Sequence, residues 1–468
     1  MSIEKQSLLI EKQSGMECEG FDFIVIKKNA NSAFILEGLE IVRDFIINKN
    51  LILYGGQAID YALRLKGDFI YGENVIPDYD FYSPNHTNDA YELGQIFFAK
   101  GFPNISVIRA LHATTMRVRI NNESVADISY VPPNIYETLP TITYQGFRCI
   151  DPNFQKIDFH LSLATPFNNS PRMDVFNRAE KNIKRFNKIS KYYHFTDVPT
   201  PEGTLRVKFA SERLSHVAHG ILAYAILLKH AEEYNPITDK EIIRTTLKLD
   251  KGQVQLDFPF DGTSIELAFI GEPEKAEIAE VYNPILGIQP RRCVLKNGLT
   301  FYNIHHVRII IAELYISGQF FRVVNVQYLL QYFLSKYFIS KSVSWLKYYT
   351  SLLAILTHVE KCVKNLNDVE KILINSPFFM SSIEYGRTNK TESEIIMTTQ
   401  IEENIGIETK PAKYADNLPQ RGFTFTEKSI DKIPQFDYKS YYFDIDGAKS
   451  SPTSNEIFDI PNIFENIK

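Results

Sequence analysis

The sequence predicts a mixed α/β fold, in which a mixed sheet with packed helices is followed by a second, helix-rich α+β domain. Three observations favour it. The 468 residues are too many for one hydrophobic core. Short apolar runs typical of strands alternate with helical periodicity in the first part, and beyond Leu161 helical patterns dominate. The predicted organisation is an N-terminal extension (1–33), a first domain (34–190), a second α+β domain (191–407) and an extended C-terminal arm (408–468).

The first predicted elements form a strand, a glycine turn and a helix. From Ile35, apolar residues recur at helical spacing and the pattern ends near Asn50. The short, uniformly apolar run 51–54 then indicates a buried strand. Gly55 and Gly56 end this strand, and helical spacing resumes over 57–65.

Alternation and turn residues predict the remaining elements of this domain. Asp78–Tyr82 is predicted as a strand and Asn88–Lys100 as a helix, with Thr87 or Asn88 as its N-cap and Gly101 after its end. A third strand follows at Asn104–Arg109. The last elements are the arms of a hairpin around Asn121-Asn122, residues 114–120 and 124–130.

The second half combines helices with short strands. Helices are predicted within 323–334 and 344–363, and strands at 254–258 and 264–270. The longest apolar run, Ile221 to Leu228, is less than half the roughly 20 residues of a membrane span, so we interpret it as a buried helix. The last part, from about residue 408, has five prolines and little periodicity, and is either an extended wrapping arm or partly disordered.

Composition narrows the class of protein. A net charge of -5 argues against a generic nucleic-acid coat, so any nucleic-acid contact requires local clusters of basic residues. No secretory signal is visible, and we expect an intracellular protein without membrane insertion. The cysteines are far apart and form no metal-binding or disulfide pattern, and we expect reduced thiols at Cys18, Cys149, Cys293 and Cys362.

Three aspartates are the candidate catalytic and metal-binding residues. Asp78 and Asp80 stand two residues apart on a predicted strand, so their side chains share one face. Asp127 lies between apolar residues on the second arm of the hairpin. If that arm neighbours the Asp78 strand, the three carboxylates converge on hard divalent cations such as Mg²⁺ or Mn²⁺. Two metal ions would relieve their mutual repulsion and support phosphoryl transfer.

The glycine turn is the candidate nucleotide-binding element. Gly55 and Gly56 allow close approach of the backbone, and the following helix directs its N-terminal amides at a triphosphate. Gly-Gly and Asp-x-Asp are each weak motifs, since the first is usually a simple turn and the second a solvated strand face. Their order along the chain, followed by Asp127, favours a catalytic site.

Three motifs resemble the polymerase-β-like nucleotidyltransferase superfamily, and within it the poly(A) polymerases of large cytoplasmic DNA viruses. They are Leu53–Asp60 (LYGGQAID), Pro77–Phe81 (PDYDF) and Ala126–Tyr130 (ADISY). The resemblance continues less sharply through Ile157–His160 and Pro171–Phe176. It covers about residues 50 to 190, and it would make 34–190 a nucleotidyltransferase catalytic domain.

The resemblance implies transfer of AMP from ATP to an RNA 3′ hydroxyl, with release of pyrophosphate. Asp78 and Asp80 would bridge two Mg²⁺ or Mn²⁺ ions, and Asp127 would complete the metal that activates the hydroxyl. Gly55, Gly56 and Gln57 would contact ATP. The implied partners are a single-stranded RNA 3′ end and either a processivity subunit or a second copy in a homodimer. The implied location is the host cytoplasm or the virion.

Two features depart from the superfamily pattern. Gly56 stands where many members have serine, which leaves Gln57 or backbone amides to contact phosphate. The interval from Gly56 to Asp78 is longer than usual and suggests an inserted loop at 66–76.

Other polar residues compete for a role in the site. Asp158 is the rival third ligand, but it follows the hairpin, so Asp127 is favoured. Asp60 is interpreted as a helix-dipole partner. His86 and His160 have no partner at metal-ligand spacing, which favours structural roles.

A basic helix follows the candidate site. Residues 172–191 carry seven Lys or Arg against two acids. On one helical face stand Arg178, Lys181, Lys184 or Arg185, and Lys188. This face is either an ordinary solvated surface or a contact for phosphate, and Lys181 and Lys184 are the candidates for binding nucleotide or RNA.

Two other functions remain open from the residues alone. The chain could be an inactive nucleotidyltransferase-like scaffold that binds RNA, although all three carboxylates are present. It could also transfer a nucleotide to protein, tRNA or a small molecule, because acceptor choice depends on loops and the second domain.

Overall fold

The structure is a computed structural model that describes residues 33–72, 77–110, 114–121, 123–165, 175–234, 236–262, 266–282, 291–303, 311–316, 318–364 and 422–424. The predicted N-terminal extension and most of the predicted C-terminal arm therefore lie outside the described residues, as do Asn122 and the end of the predicted inserted loop. The described residues form two compact units. The first extends to Pro152 and includes residues 422–424, and the second begins at Asn153. The domain boundary at residue 190 stays a prediction.

The first unit is built on one eight-stranded mixed sheet. Its helices are α1 (Ala33–Asn48), α2 (Gly55–Arg64), α3 (His86–Ala99) and the short α4 (Pro133–Tyr136). Its strands are β1 (Ile52–Tyr54), β2 (Tyr79–Ser83), β3 (Ser106–Arg109), β4 (Thr115–Ile120), β5 (Glu123–Tyr130), β6 (Thr141–Tyr144), β7 (Phe147–Ile150) and β18 (Gly422–Thr424). The strand order is β18-β3-β4-β5-β2-β1-β7-β6.

One face of this sheet is covered by helices. Phe81 of β2 lies 6.4 Å from the ring of Phe45 on α1, and Tyr61 of α2 lies 5.2 Å from the ring of Phe147 on β7. Strand side chains alternate between faces, so Asp80, next to the fully buried Phe81, points away from these helices. The alternation therefore separates the apolar core from the polar face that carries the carboxylates.

The sequence predicted most of this unit, but not the short helix α4 or the edge strand β18, and two further features differ. The predicted N-cap of α3 is wrong, because the helix begins at His86 with Asn85 as its N-cap. Ser83 organises this start by accepting a hydrogen bond from the Asn85 amide and donating one to the buried Asp89. The hairpin of β6 and β7 was not predicted, although Gln145 and Gly146 form its tight turn with φ of 46° and 85°.

The second unit contains two sheets, five α-helices and two short 3-10 helices among its described residues. The α-helices are α5 (Pro152–Ala164), α6 (Val175–Tyr192), α7 (Gly220–Tyr234), α8 (Val326–Ser340) and α9 (Val343–Lys364). The strands are β8 (Thr204–Ala210), β9 (Val217–His219), β10 (Thr246–Asp250), β11 (Gln253–Pro259), β12 (Leu267–Ile270), β13 (Ile278–Tyr282), β14 (Arg291–Leu295), β15 (Leu299–Asn303), β16 (Ile311–Ile316) and β17 (Gln319–Val324). The sheet orders are β10-β11-β8 and β13-β14-β15-β12-β9-β17-β16.

This unit confirms the α+β prediction for the second half. The run from Ile221 to Leu228 is buried throughout and lies within α7. Within the described parts of the chain, no helix combines the length and the apolar character that a membrane span requires. Cys149 and Cys293 are buried free thiols, as expected.

Candidate active site

The strand register brings two of the predicted aspartates together. β2 pairs in parallel with β5, with Asp80 directly opposite Asp127. On its other side β2 pairs antiparallel with β1, with Asp80 opposite Tyr54. Neighbouring strands lie about 4.8 Å apart, so these aspartates are adjacent on the polar face. Asp78 directly precedes β2 and is half-buried like the other two. The condition set by the sequence, that the Asp127 strand lies beside the strand that follows Asp78, is therefore met.

The glycine turn lies directly against Asp80. Gly55 begins α2 with a φ of +71°, a conformation that side chains disfavour. A Cβ atom placed on Gly55 would lie 2.5 Å from Asp80 Oδ2. The N-terminus of α2 and the Asp80 carboxylate consequently occupy one small region. The sequence predicted close approach of this turn to a nucleotide, which stays a prediction, and the structure shows its close approach to the Asp80 carboxylate.

Arg117 is a site residue that the sequence interpretation missed. It lies on β4 opposite Asp127. Its Nε donates to Asp127 Oδ1 at 2.7 Å and its Nη2 donates to Asp127 Oδ2 at 2.6 Å, which is a bidentate ion pair. Regular pairing counted back from Ile120 and Glu123 would place Met116 opposite Asp127. The irregularity between Val118 and Arg119 shifts the register to Arg117, and the sequence carried no clear signal of it.

Arg117 is a cation facing three carboxylates. Its hydrogen bonds to Asp127 raise the pKa of Arg117, and Asp78 and Asp80 raise it further by Coulomb attraction. Burial raises the pKa of Asp78, the charge of Asp127 adds to this effect, and Arg117 opposes it. One guanidinium thus offsets part of the repulsion among three acids.

The donor chemistry of the three aspartates suits Mg²⁺ or Mn²⁺, since both prefer carboxylate oxygens. Among the described residues, however, no three His, Cys, Asp or Glu side chains are gathered closely enough to hold a metal ion. Both oxygens of Asp127 are hydrogen-bonded to Arg117. The strand register therefore places the aspartates suitably for a metal site, whereas their side chains are not gathered closely enough to coordinate an ion without rearrangement.

Gln57 and Asp60 line a polar cavity of about 210 Å³ beside α2, together with Tyr61, Arg64, Tyr71 and Tyr144. Gln57 Oε1 is buried and accepts no hydrogen bond from the described residues. Asp60 accepts hydrogen bonds from the amides of Ile70 (2.8 Å) and Tyr71 (2.9 Å). Asp60 therefore anchors the loop that follows α2, a role that the helix-dipole interpretation did not predict.

The basic helix corresponds to α6, in the second unit. Phe186 makes an edge contact with His160 at 4.9 Å, and Asn182 donates to Ser162 at 2.6 Å. Lys181 and Lys184 are exposed. The helix thus packs on α5 through one face and presents these lysines to solvent, and their contact with nucleotide or RNA stays a prediction.

Both histidines are structural, as expected. His160 is buried between Gln327 and Tyr349, with hydrogen bonds of 2.9 and 3.0 Å, and burial lowers its pKa to about 4. His86 is buried against Tyr130, and burial lowers its pKa to about 3.

The rival ligand Asp158 lies on α5 in the second unit and is exposed. It is therefore not on the sheet that carries Asp80 and Asp127. The choice between Asp127 and Asp158 as third ligand stays a prediction.

Known proteins resemble this chain along most of its length. The family model of the poly(A) polymerase catalytic subunit matches residues 40–169. One relative is a protein of African swine fever virus (isolate Tick/Malawi/Lil 20-1), which is named by inference as a poly(A) polymerase catalytic subunit. It is 39% identical to this chain over 371 residues, and the match covers 75% of this chain and 76% of that protein. A similarly named protein of Acanthamoeba polyphaga mimivirus is 28% identical over 228 residues, or 44% of this chain and 38% of that protein.

The fold has a solved counterpart. The crystal structure of the Megavirus polyadenylate synthase matches with a TM-score of 0.61, covering 94% of this chain and 91% of that chain at 17% identity. The sheet with its glycine turn and the viral relatives define an enzyme of the nucleotidyltransferase class. More particularly, the chain belongs to the family of poly(A) polymerase catalytic subunits, and its activity is polyadenylation.

Proposed function

We propose that the chain transfers AMP from ATP to the 3′ hydroxyl of single-stranded RNA, releasing pyrophosphate, at a site formed by Asp78, Asp80 and Asp127. The observation that carries this proposal is the position of Asp80, between the glycine turn on one side and Asp127 on the other. A nucleotide held by the turn would meet the carboxylates directly.

In the proposed reaction the glycine turn would bind the triphosphate and the aspartates would hold the metal ions. Gly55 and Gly56 expose the backbone amides of the α2 N-terminus, which favours the negative triphosphate. Gln57, on the first turn of α2, contributes a side-chain amide beside them. Asp78 and Asp80 would hold both divalent ions, and Asp127 would help to hold the one that activates the RNA 3′ hydroxyl. When bound, Mg²⁺ or Mn²⁺ would lower the pKa of the 3′ hydroxyl and neutralise charge on the leaving pyrophosphate.

The proposed enzyme would also contact RNA and a partner. The exposed Lys181 and Lys184 of α6 would bind phosphates of RNA or ATP. A processivity subunit or a second copy of the chain would retain the growing tail. We place this activity in the host cytoplasm or the virion, in keeping with the viral relatives.

The decisive assay uses purified chain, an oligo(A) primer and each of four labelled NTPs, with Mg²⁺ or Mn²⁺. We expect extension with ATP and much less with the other three. Asp80→Asn should reduce extension to below about a tenth of wild type while leaving the melting temperature unchanged or slightly raised, because it removes one charge from an acidic cluster.

Two results would contradict the proposal. Equal incorporation of all four nucleotides would show that the site does not select adenine. Substantial extension by Asp80→Asn would remove Asp80 from the metal site.

A further inference from the structure

The ion pair between Arg117 and Asp127 has a consequence for metal binding. Both carboxylate oxygens of Asp127 accept hydrogen bonds from one guanidinium, at 2.7 and 2.6 Å. A divalent ion would need at least one of these oxygens. Each oxygen keeps a second lone pair, but the positive guanidinium repels a divalent ion placed beside it, so the two cations compete for one carboxylate.

The burial of the Arg117–Asp127 pair and the nearby carboxylates strengthen this competition. Asp127 is 14% exposed and Arg117 is 34% exposed, so the pair is partly shielded from water and its attraction is stronger than that of a surface pair. Arg117 also attracts Asp78 and Asp80. It thus provides the positive charge that a metal ion would otherwise provide.

We propose that Arg117 is a positioning residue that substitutes for the metal before an ion binds. When a metal ion arrives, Arg117 gives up its hydrogen bonds to Asp127, and Asp127 binds the ion instead. Arg117 stabilises the three carboxylates on their strands in the metal-free enzyme. We expect metal binding to displace the Arg117 guanidinium from at least one Asp127 oxygen, because two cations held at one carboxylate repel each other. This inference rests on the proposed function, since it assumes that Asp127 is a metal ligand.

The chain offers a matched control on another sheet. Arg206 of β8 donates to Asp257 of β11 through Nε at 2.6 Å and Nη2 at 3.2 Å, and the two residues are also cross-strand partners. This pair has the same bidentate geometry but no neighbouring catalytic carboxylates. Arg206→Gln therefore removes a bidentate cross-strand ion pair, with a more exposed arginine, without touching the active site.

The test compares wild type, Arg117→Gln, Arg117→Lys and Arg206→Gln by two measurements besides activity. One is the melting temperature in chelator, and the other is Mn²⁺ affinity by electron paramagnetic resonance. In chelator we expect Arg117→Gln to melt about 2–4 °C below Arg206→Gln. Its Mn²⁺ dissociation constant should fall about fivefold or more, because no cation competes for Asp127. Arg117→Lys keeps the positive charge but has a single ammonium group, so its Mn²⁺ affinity should lie between those of wild type and Arg117→Gln. Arg206→Gln should bind Mn²⁺ like wild type.

The outcomes separate this inference from the proposed function. Unchanged or weaker Mn²⁺ binding by Arg117→Gln would overturn the exchange, even if wild type extends primers normally. Wild-type Mn²⁺ affinity in Asp127→Asn would also overturn it, because Asp127 would not be a ligand. If the expected Mn²⁺ results are obtained but wild type adds no AMP, the exchange stands and the proposed function fails.

Discussion

The choice of the third metal ligand can be tested at the scale of single residues. Asp127 lies opposite Asp80 on a neighbouring strand, whereas Asp158 lies on α5. We expect Asp127→Asn to lower primer extension by at least about 100-fold and Asp158→Asn to retain most of it, because only Asp127 shares the polar face with Asp80. Steady-state extension with saturating ATP measures this difference. An inactive Asp158→Asn beside an active Asp127→Asn would identify Asp158 as the ligand.

Gly55 permits a second test at this scale. In Gly55→Ala the new Cβ would displace the Asp80 carboxylate, since it would lie 2.5 Å from Oδ2, and the positive φ would cost about 1–2 kcal/mol. Gly101 has a φ of +79° and a Cβ added there would meet nothing within 4 Å, so Gly101→Ala has the backbone cost alone. By urea denaturation we expect Gly55→Ala to lose at least as much stability as Gly101→Ala, and we expect a loss of extension only in Gly55→Ala. Equal activity of the two variants would show that Asp80 adjusts without consequence.

At the scale of the element, α6 is the predicted phosphate-binding helix. Replacing Lys181, Lys184 and Lys188 together by Gln keeps helix propensity while removing three charges. If the helix binds RNA, the slope of log affinity against log salt should shrink by about 0.7 for each lysine–phosphate pair that the variant removes, and tails should shorten. If it binds the triphosphate, the KM for ATP should rise while RNA affinity stays constant.

A control is needed for the change in net charge. Lys240, Lys248 and Lys251 are also exposed lysines of the second unit, and their joint replacement by Gln removes the same charge elsewhere. The α6 variant should differ from this control in salt slope or in ATP kinetics. Identical behaviour would mean that the α6 lysines are simply solvated.

At the scale of the whole molecule, stability depends on a buried ionic cluster in the second unit. Glu266 is 2% exposed and accepts hydrogen bonds from Lys336 Nζ at 2.7 Å and Tyr332 Oη at 3.0 Å. It also contacts Arg292 and Tyr302. Glu266→Gln would leave two cations without their buried counter-charge, so we expect unfolding to become easier by about 3–5 kcal/mol.

An exposed pair serves as the reference for this prediction. Glu313 lies 3.8 Å from Arg322, and both side chains are largely exposed. Glu313→Gln should therefore cost about 0–1 kcal/mol in the same urea titration. A Glu266→Gln variant as stable as Glu313→Gln would show that water or a rearranged neighbour replaces the missing charge.

Much of the fold was determined locally and could be predicted from the sequence. The turn at Gly55 follows from a short apolar run that ends in glycines, and the spacing of Asp78 and Asp80 fixes their common face by strand geometry. The hairpin turn at Asn121, with a φ of 48°, follows from the tolerance of asparagine for left-handed backbone. Such features depend on neighbouring residues, whose preferences are visible in sequence.

Tertiary structure alone decided the relations between distant segments. The pairing of Asp80 with Asp127 and of Arg117 with Asp127 depends on strand order and register. Register is set by which faces can be buried together, a property of the assembled sheet. The sequence by itself therefore determined the site's candidate acids and its glycine turn, whereas the folded sheet determined that an arginine faces them.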